Sequence, residues 1–117
     1  MEIRYIELKT GYNDNGPAWI GKVTLSKSGQ TIYFNGKAFQ KHHGVQGNYC
    51  DIETGEEYWI SKVKKDGTDR HWAGSGKIIV DRSILEEYLE ITGQTALSSS
   101  RYEVCTLSQP SHFESRI

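Results

Sequence analysis

A long stretch of this chain carries no acidic residue. From Asn15 to Cys50 there is no Asp or Glu, while Lys22, Lys27, Lys37 and Lys41 add four positive charges beside His42 and His43. Asp51, Glu53, Glu56 and Glu57 follow at once, and Glu86, Glu87 and Glu90 lie further on, so the net charge of -1 is a cancellation of unlike segments. Long apolar runs are also missing. No segment approaches the roughly 20 residues a membrane helix needs, and Met-Glu-Ile-Arg-Tyr opens into strand pattern without the regions of a signal peptide. A cytoplasmic protein with no membrane contact is expected. Cysteine is scarce too: Cys50 and Cys105 stand far apart, so both are read as free thiols, not a disulfide framework.

What is present is turns and rings. The 36% hydrophobic content is below the globular average, but three Trp, seven Tyr, three Phe and 12 Gly in 117 residues suit a single small β-rich domain with bulky inward residues. Ile3 to Lys9 alternates with Ile6 and Leu8 inward. Gly11 to Pro17 is a loop, and Tyr12 within it makes it a candidate binding loop. Ala18 to Ser26 puts Trp19, Gly21, Val23 and Leu25 on one face and Ile20, Lys22 and Thr24 on the other, with Gly21 marking a bend or bulge. Thr31 to Asn35 places Ile32 and Phe34 inward and Tyr33 outward, or the reverse after a one-residue slip of register, and Asn35-Gly36 is a strong hairpin signal.

Lys37 to Gln40 leaves that turn, residues 41–48 form an ordered loop, and Tyr49 to Ile52 re-enters. The organising segment is Asp51 to Lys77. Glu56 to Val63 pairs Tyr58 with Ile60 on one face, Asp66-Gly67 turns, Arg70 to Ala73 returns, and Gly74-Ser75-Gly76 breaks the strand before Ile78-Ile79-Val80. Ser83 and Glu86 match a capping box, Ile84, Leu85, Tyr88, Leu89 and Ile91 recur at helical spacing, and Gly93 is placed to end the helix. The expected fold is mainly β: a small SH3-like or related barrel of five or six antiparallel strands with one C-terminal amphipathic helix. It occupies residues 1–93, and 94–117 form a flexible tail with one extra strand near 101–107.

Several constellations carry possible chemistry. Too many aromatics are present for one inward face, and in a small barrel exposed rings beside lysines grip single-stranded nucleic acid or a peptide. Trp19, Lys22, Tyr33, Lys37 and Trp72 are the binding candidates, whereas Phe34 and Trp59 are assigned to core packing. Asp69, Arg70 and His71 are the weak catalytic candidates, for acid/base work or anion binding. An ion pair and an Arg-Trp stack explain the same residues without catalysis. Gly74 to Lys77 is too short for a phosphate loop and leads into a strand-like run. His42, His43, Cys50 and His71 make a poor metal set, since adjacent histidines point apart in extended chain. Cys50 with His71 offers no more than proximity for nucleophilic catalysis. No metal and no cofactor are expected.

The stretches GPAWIGKVTLSKSGQTIYFNGKAFQK, GNYCDIETGEEYWISKVKKDGTDRHWAGSGKI and ILEEYLE resemble a family of small stand-alone bacterial proteins with which no activity is associated. The resemblance spans about residues 3 to 91, is consistent with the barrel, and carries over no site residue. Some such sequences bear an automatic label of 1-deoxy-D-xylulose-5-phosphate synthase. A thiamine-diphosphate enzyme needs two large α/β domains and a diphosphate and metal site, which 117 mostly strand-forming residues cannot supply. The leading expectation is therefore a cytosolic binding module for an anionic or extended partner, RNA or peptide. The alternatives are a small enzyme using Asp69, Arg70 and His71, and a structural or oligomerising protein.

Overall fold

The computed structural model describes residues 2–9, 17–42, 44, 47–65 and 77–107. Eight strands are found among them: β1 (Glu2–Leu8), β2 (Ala18–Leu25), β3 (Thr31–Phe34), β4 (Lys37–Lys41), β5 (Tyr49–Asp51), β6 (Glu57–Lys62), β7 (Ile78–Asp81) and β8 (Tyr102–Cys105). A 3-10 turn (Arg82–Ile84) leads into the single helix described, α1 (Leu85–Thr92). The first six strands run up and down in chain order, and β1 closes the ring by pairing with both β2 and β6. The barrel is antiparallel throughout. Beyond it, β7 pairs with β2 and β8 with β7, both in parallel. The expected return strand at Arg70 to Ala73 lies outside the described residues.

Two hydrophobic clusters share the wall made by β1 and β2. Inside the barrel lie Ile6, Val23, Ile32, Phe34, Phe39, Tyr58 and Ile60. On the outer side, Tyr5, Ala18 and Ile20 pack under Ile78, Val80, Ile84, Tyr88 and Tyr102 from β7, the helix segment and β8. β1 and β2 are thus buried on both faces, which is why Tyr5, Ile6 and Glu7 are consecutively inaccessible and simple alternation fails there. The helix segment covers this outer wall through Ile84 and Tyr88.

Local signals explain most turns. Asn35 and Gly36 both take positive φ, 50° and 76°, as a two-residue hairpin turn matched to strand twist requires. Gly93 ends α1 at φ 70°. The capping box does not form: Asp81 accepts the Ser83 amide at 3.1 Å, and α1 starts at Leu85 with no side-chain cap. The physical reason is the chain's exit from β7, which puts the Asp81 carboxylate ahead of Ser83. Trp59 corrects the core assignment, because Tyr58 and Ile60 take the inward positions of β6 and leave the indole 42% exposed.

The sheet forks at Gly21. One edge of β2 bonds wholly to β1; the other bonds to β7 at residues 18–20 and to β3 at residues 24–25. The Phe34 ring fills the crotch, so near that a Cβ on Gly21 would sit 2.6 Å from Phe34 Cε1 and 3.5 Å from Asp81 Cβ. Gly21→Ala is expected to destabilise the fold by about 1–3 kcal/mol through overpacking. Urea denaturation should show that loss and its partial recovery in Gly21→Ala/Phe34→Leu; an unchanged midpoint in the single variant contradicts the packing account.

Candidate functional site

Up-and-down topology gathers one residue from each of β2 to β6 at the same end of the barrel. Trp19 is second in β2, Phe34 last in β3, Lys37 first in β4, Asp51 last in β5 and Tyr58 second in β6. Inward alternation then turns Trp19, Phe34, Phe39 and Tyr58 toward one another. Trp19 stacks on Tyr58 with centroids 6.4 Å apart and meets Phe34 edge-on at 6.4 Å, and Phe39 tilts against Tyr58 at 4.6 Å. Together with Ile6, Asn35 and Lys37 they line a recess of about 200 Å³ of empty space, counting the solvent at its mouth. Its walls are aromatic and its rim is polar.

The rim is organised by Asp51. This carboxylate is 2% exposed, accepts the Glu53 amide at 2.9 Å, and faces the Lys37 ammonium at 3.4 Å. Asp51 also exchanges main-chain bonds across the turn, its amide to Glu56 O at 2.9 Å and its carbonyl from the Gly55 amide at 2.8 Å. Lys37 bridges the step from β4 to β5 while 45% of its side chain stays in solvent. A second buried carboxylate, Glu7, sits on the outer wall, where Tyr5 Oη donates to Oε1 at 2.5 Å and Lys9 Nζ meets Oε2 at 2.9 Å. Tyr5 shares its strand, and Lys9 stands just past the end of that strand.

The binding candidates divide between two places. Trp19 and Lys37 join at the recess. Lys22 and Tyr33 point to the outer face of the β2–β3 pair, where Thr24 lies opposite Tyr33. Trp72, Asp69, Arg70 and His71 lie outside the described residues, as do Tyr12 and His43. Among the described residues no group of three or more His, Cys, Asp or Glu is placed to hold a metal ion, and no helix is long and apolar enough to cross a membrane. Phe39, Tyr58 and Asp51 were not among the candidates. The alternation that puts Tyr58 inward with Ile60 was a usable signal for Tyr58; nothing in the sequence marks Asp51 as buried.

The chain matches no family model, no curated protein and no solved structure.

Burial, then the charges of Glu56 and Asp51, push the Tyr58 phenol from the usual 10.0 up to about 12. The neutral phenol is therefore favoured by folding. Its contribution to stability is complete below about pH 10 and is lost as pH rises towards about 12, because the folded state holds this proton more tightly than the unfolded one. Tyrosinate absorbance should show a late-titrating group that disappears in Tyr58→Phe and moves down in Glu56→Gln. A Tyr58→Phe titration identical to that of the parent protein contradicts the assignment.

Proposed function

We propose that this protein is a cytoplasmic binding module that docks an extended partner, a peptide or single-stranded RNA, across the end of its barrel where the aromatic recess opens. The observation that carries the reading is Trp19: a half-buried indole, already stacked on Tyr58, forming the wall of an open recess beside a half-exposed lysine. The enclosed part of the recess has room for little more than a water molecule, so a partner's single anchor, a side chain or a base, would seat at its mouth against Trp19, with the rim setting its orientation. Main-chain turns at Asn35-Gly36 and at 52–56 hold the rim in place without a partner. An SH3-like comparison rests on barrel size and on this use of aromatics at one end. The resemblance to small bacterial proteins adds no residue to the reading.

A second reading has its own observation. Trp59 and Ile52 are 42% and 51% exposed on the outer surface, which favours a contact between copies of the chain. Sedimentation at several concentrations separates the two, since a Trp59→Ser variant should dissociate a dimer and leave a Trp19-dependent ligand untouched.

The main test is a random peptide library and an oligouridine gel shift, each run on the parent chain and on Trp19→Ala. Loss of binding by tenfold or more in the variant is expected, as truncating a hot-spot aromatic anchor costs about 2 kcal/mol or more. Binding that is equal in both proteins would place the contact elsewhere.

A further inference from the structure

The charges around the recess are not those of the basic segment as a whole. Asp51 ends β5, and Glu53 and Glu56 follow it in the β5–β6 connection, which closes the same end of the barrel as the recess; Lys9, just past β1 at that end, is paired with Glu7. Lys27, in the β2–β3 turn, and Lys62 and Lys64, at the end of β6, lie at the opposite end by the same up-and-down topology. Among the described residues Lys37 is the one cation lining the recess, and it is spoken for by Asp51 at 3.4 Å. The negative field of Glu56 and Asp51 reaches the Tyr58 hydroxyl, consistent with an electronegative site.

Faces of aromatic rings carry negative charge density and attract cations, more strongly once water is excluded. A recess walled by Trp19, Phe34, Phe39 and Tyr58, with the buried Asp51 carboxylate held behind Lys37, has the composition that recognises a weakly hydrated cation. An RNA phosphate there would have to draw Lys37 away and leave the buried Asp51 carboxylate without a countercharge.

Resting on the binding-module reading, we propose that the mouth of the recess takes the guanidinium of an arginine in an extended peptide, and that Lys37 is an internal competitor for the Asp51 carboxylate. The arginine head stacks against Trp19 and takes over the countercharge role at Asp51 as the lysine swings into solvent. Lys37 therefore lowers affinity and screens out weaker cations. An anion-binding recess requires the opposite sign of effect.

The experiment uses the full chain with Trp59→Phe and Trp72→Phe, which leaves Trp19 as the sole indole reporter. Its emission is titrated with a glycine-serine decapeptide carrying one central arginine, with glutamate and norleucine versions, and with decauridylate. The arginine peptide should bind tightest, and Lys37→Met should tighten it severalfold, within the range of about 2- to 30-fold spanned by such contacts. If Lys37→Met fails to fold, Asp51→Asn serves, since it retains an acceptor for the Glu53 amide; it should weaken the arginine peptide by a similar factor. Tighter binding of decauridylate or the glutamate peptide, or weaker arginine binding in Lys37→Met, overturns the inference and leaves the binding-module reading standing. An unchanged arginine affinity in Asp51→Asn overturns it as well. If no probe alters Trp19 emission, both readings fall.

Discussion

The close approach of Phe34 to Gly21 is the constraint on which the rest of the structure depends. β2 has to serve the closed barrel and the parallel extension at once, and it does so by giving different stretches of one edge to β7 and β3. Gly21 lies at the division, and the absent side chain is the space the Phe34 ring occupies. That ring then fixes the edge-on contact with Trp19, two residues before Gly21. Fold and recess are linked through one missing Cβ.

The same fork explains why the β1–β2 wall is so thoroughly buried. A six-strand ring normally shows its outer face to water, but here β7, β8 and α1 cover that wall with Ile78, Val80, Ile84, Tyr88 and Tyr102. Removing the outer layer would expose Tyr5, Ala18 and Ile20, all 0% accessible. The extension is therefore part of the hydrophobic structure and holds the wall from which Trp19 projects inward.

Much of the barrel was legible because strand alternation and turn chemistry are local. Asn35-Gly36, the inward Ile32 and Phe34, the pairing of Tyr58 with Ile60 and the stop at Gly93 all follow from residues within a few positions of each other. Non-local partners were not legible. Parallel pairing of β7 with β2 has no sequence signature, and neither does the choice of Asp81 over Ser83 as the cap. Trp59 misled because its bulk argued for the core while its parity on β6 argued for solvent, and parity won. Of the binding candidates, Trp19 and Lys37 belong together because they stand near the same ends of their strands. Lys22 and Tyr33 fall on the outer face by alternation alone.

The central claim is that the recess at the Trp19 end of the barrel is where a partner is held. Amide and indole chemical-shift mapping of the parent chain, titrated with the central-arginine decapeptide, tests it most directly. The account predicts that the largest shifts fall on the Trp19 indole N–H and on the amides of Asn35, Lys37, Asp51 and Tyr58, with the outer wall unaffected. A map centred on Lys22 and Tyr33, or on Trp59, would contradict it and move the binding surface to the outside of the barrel.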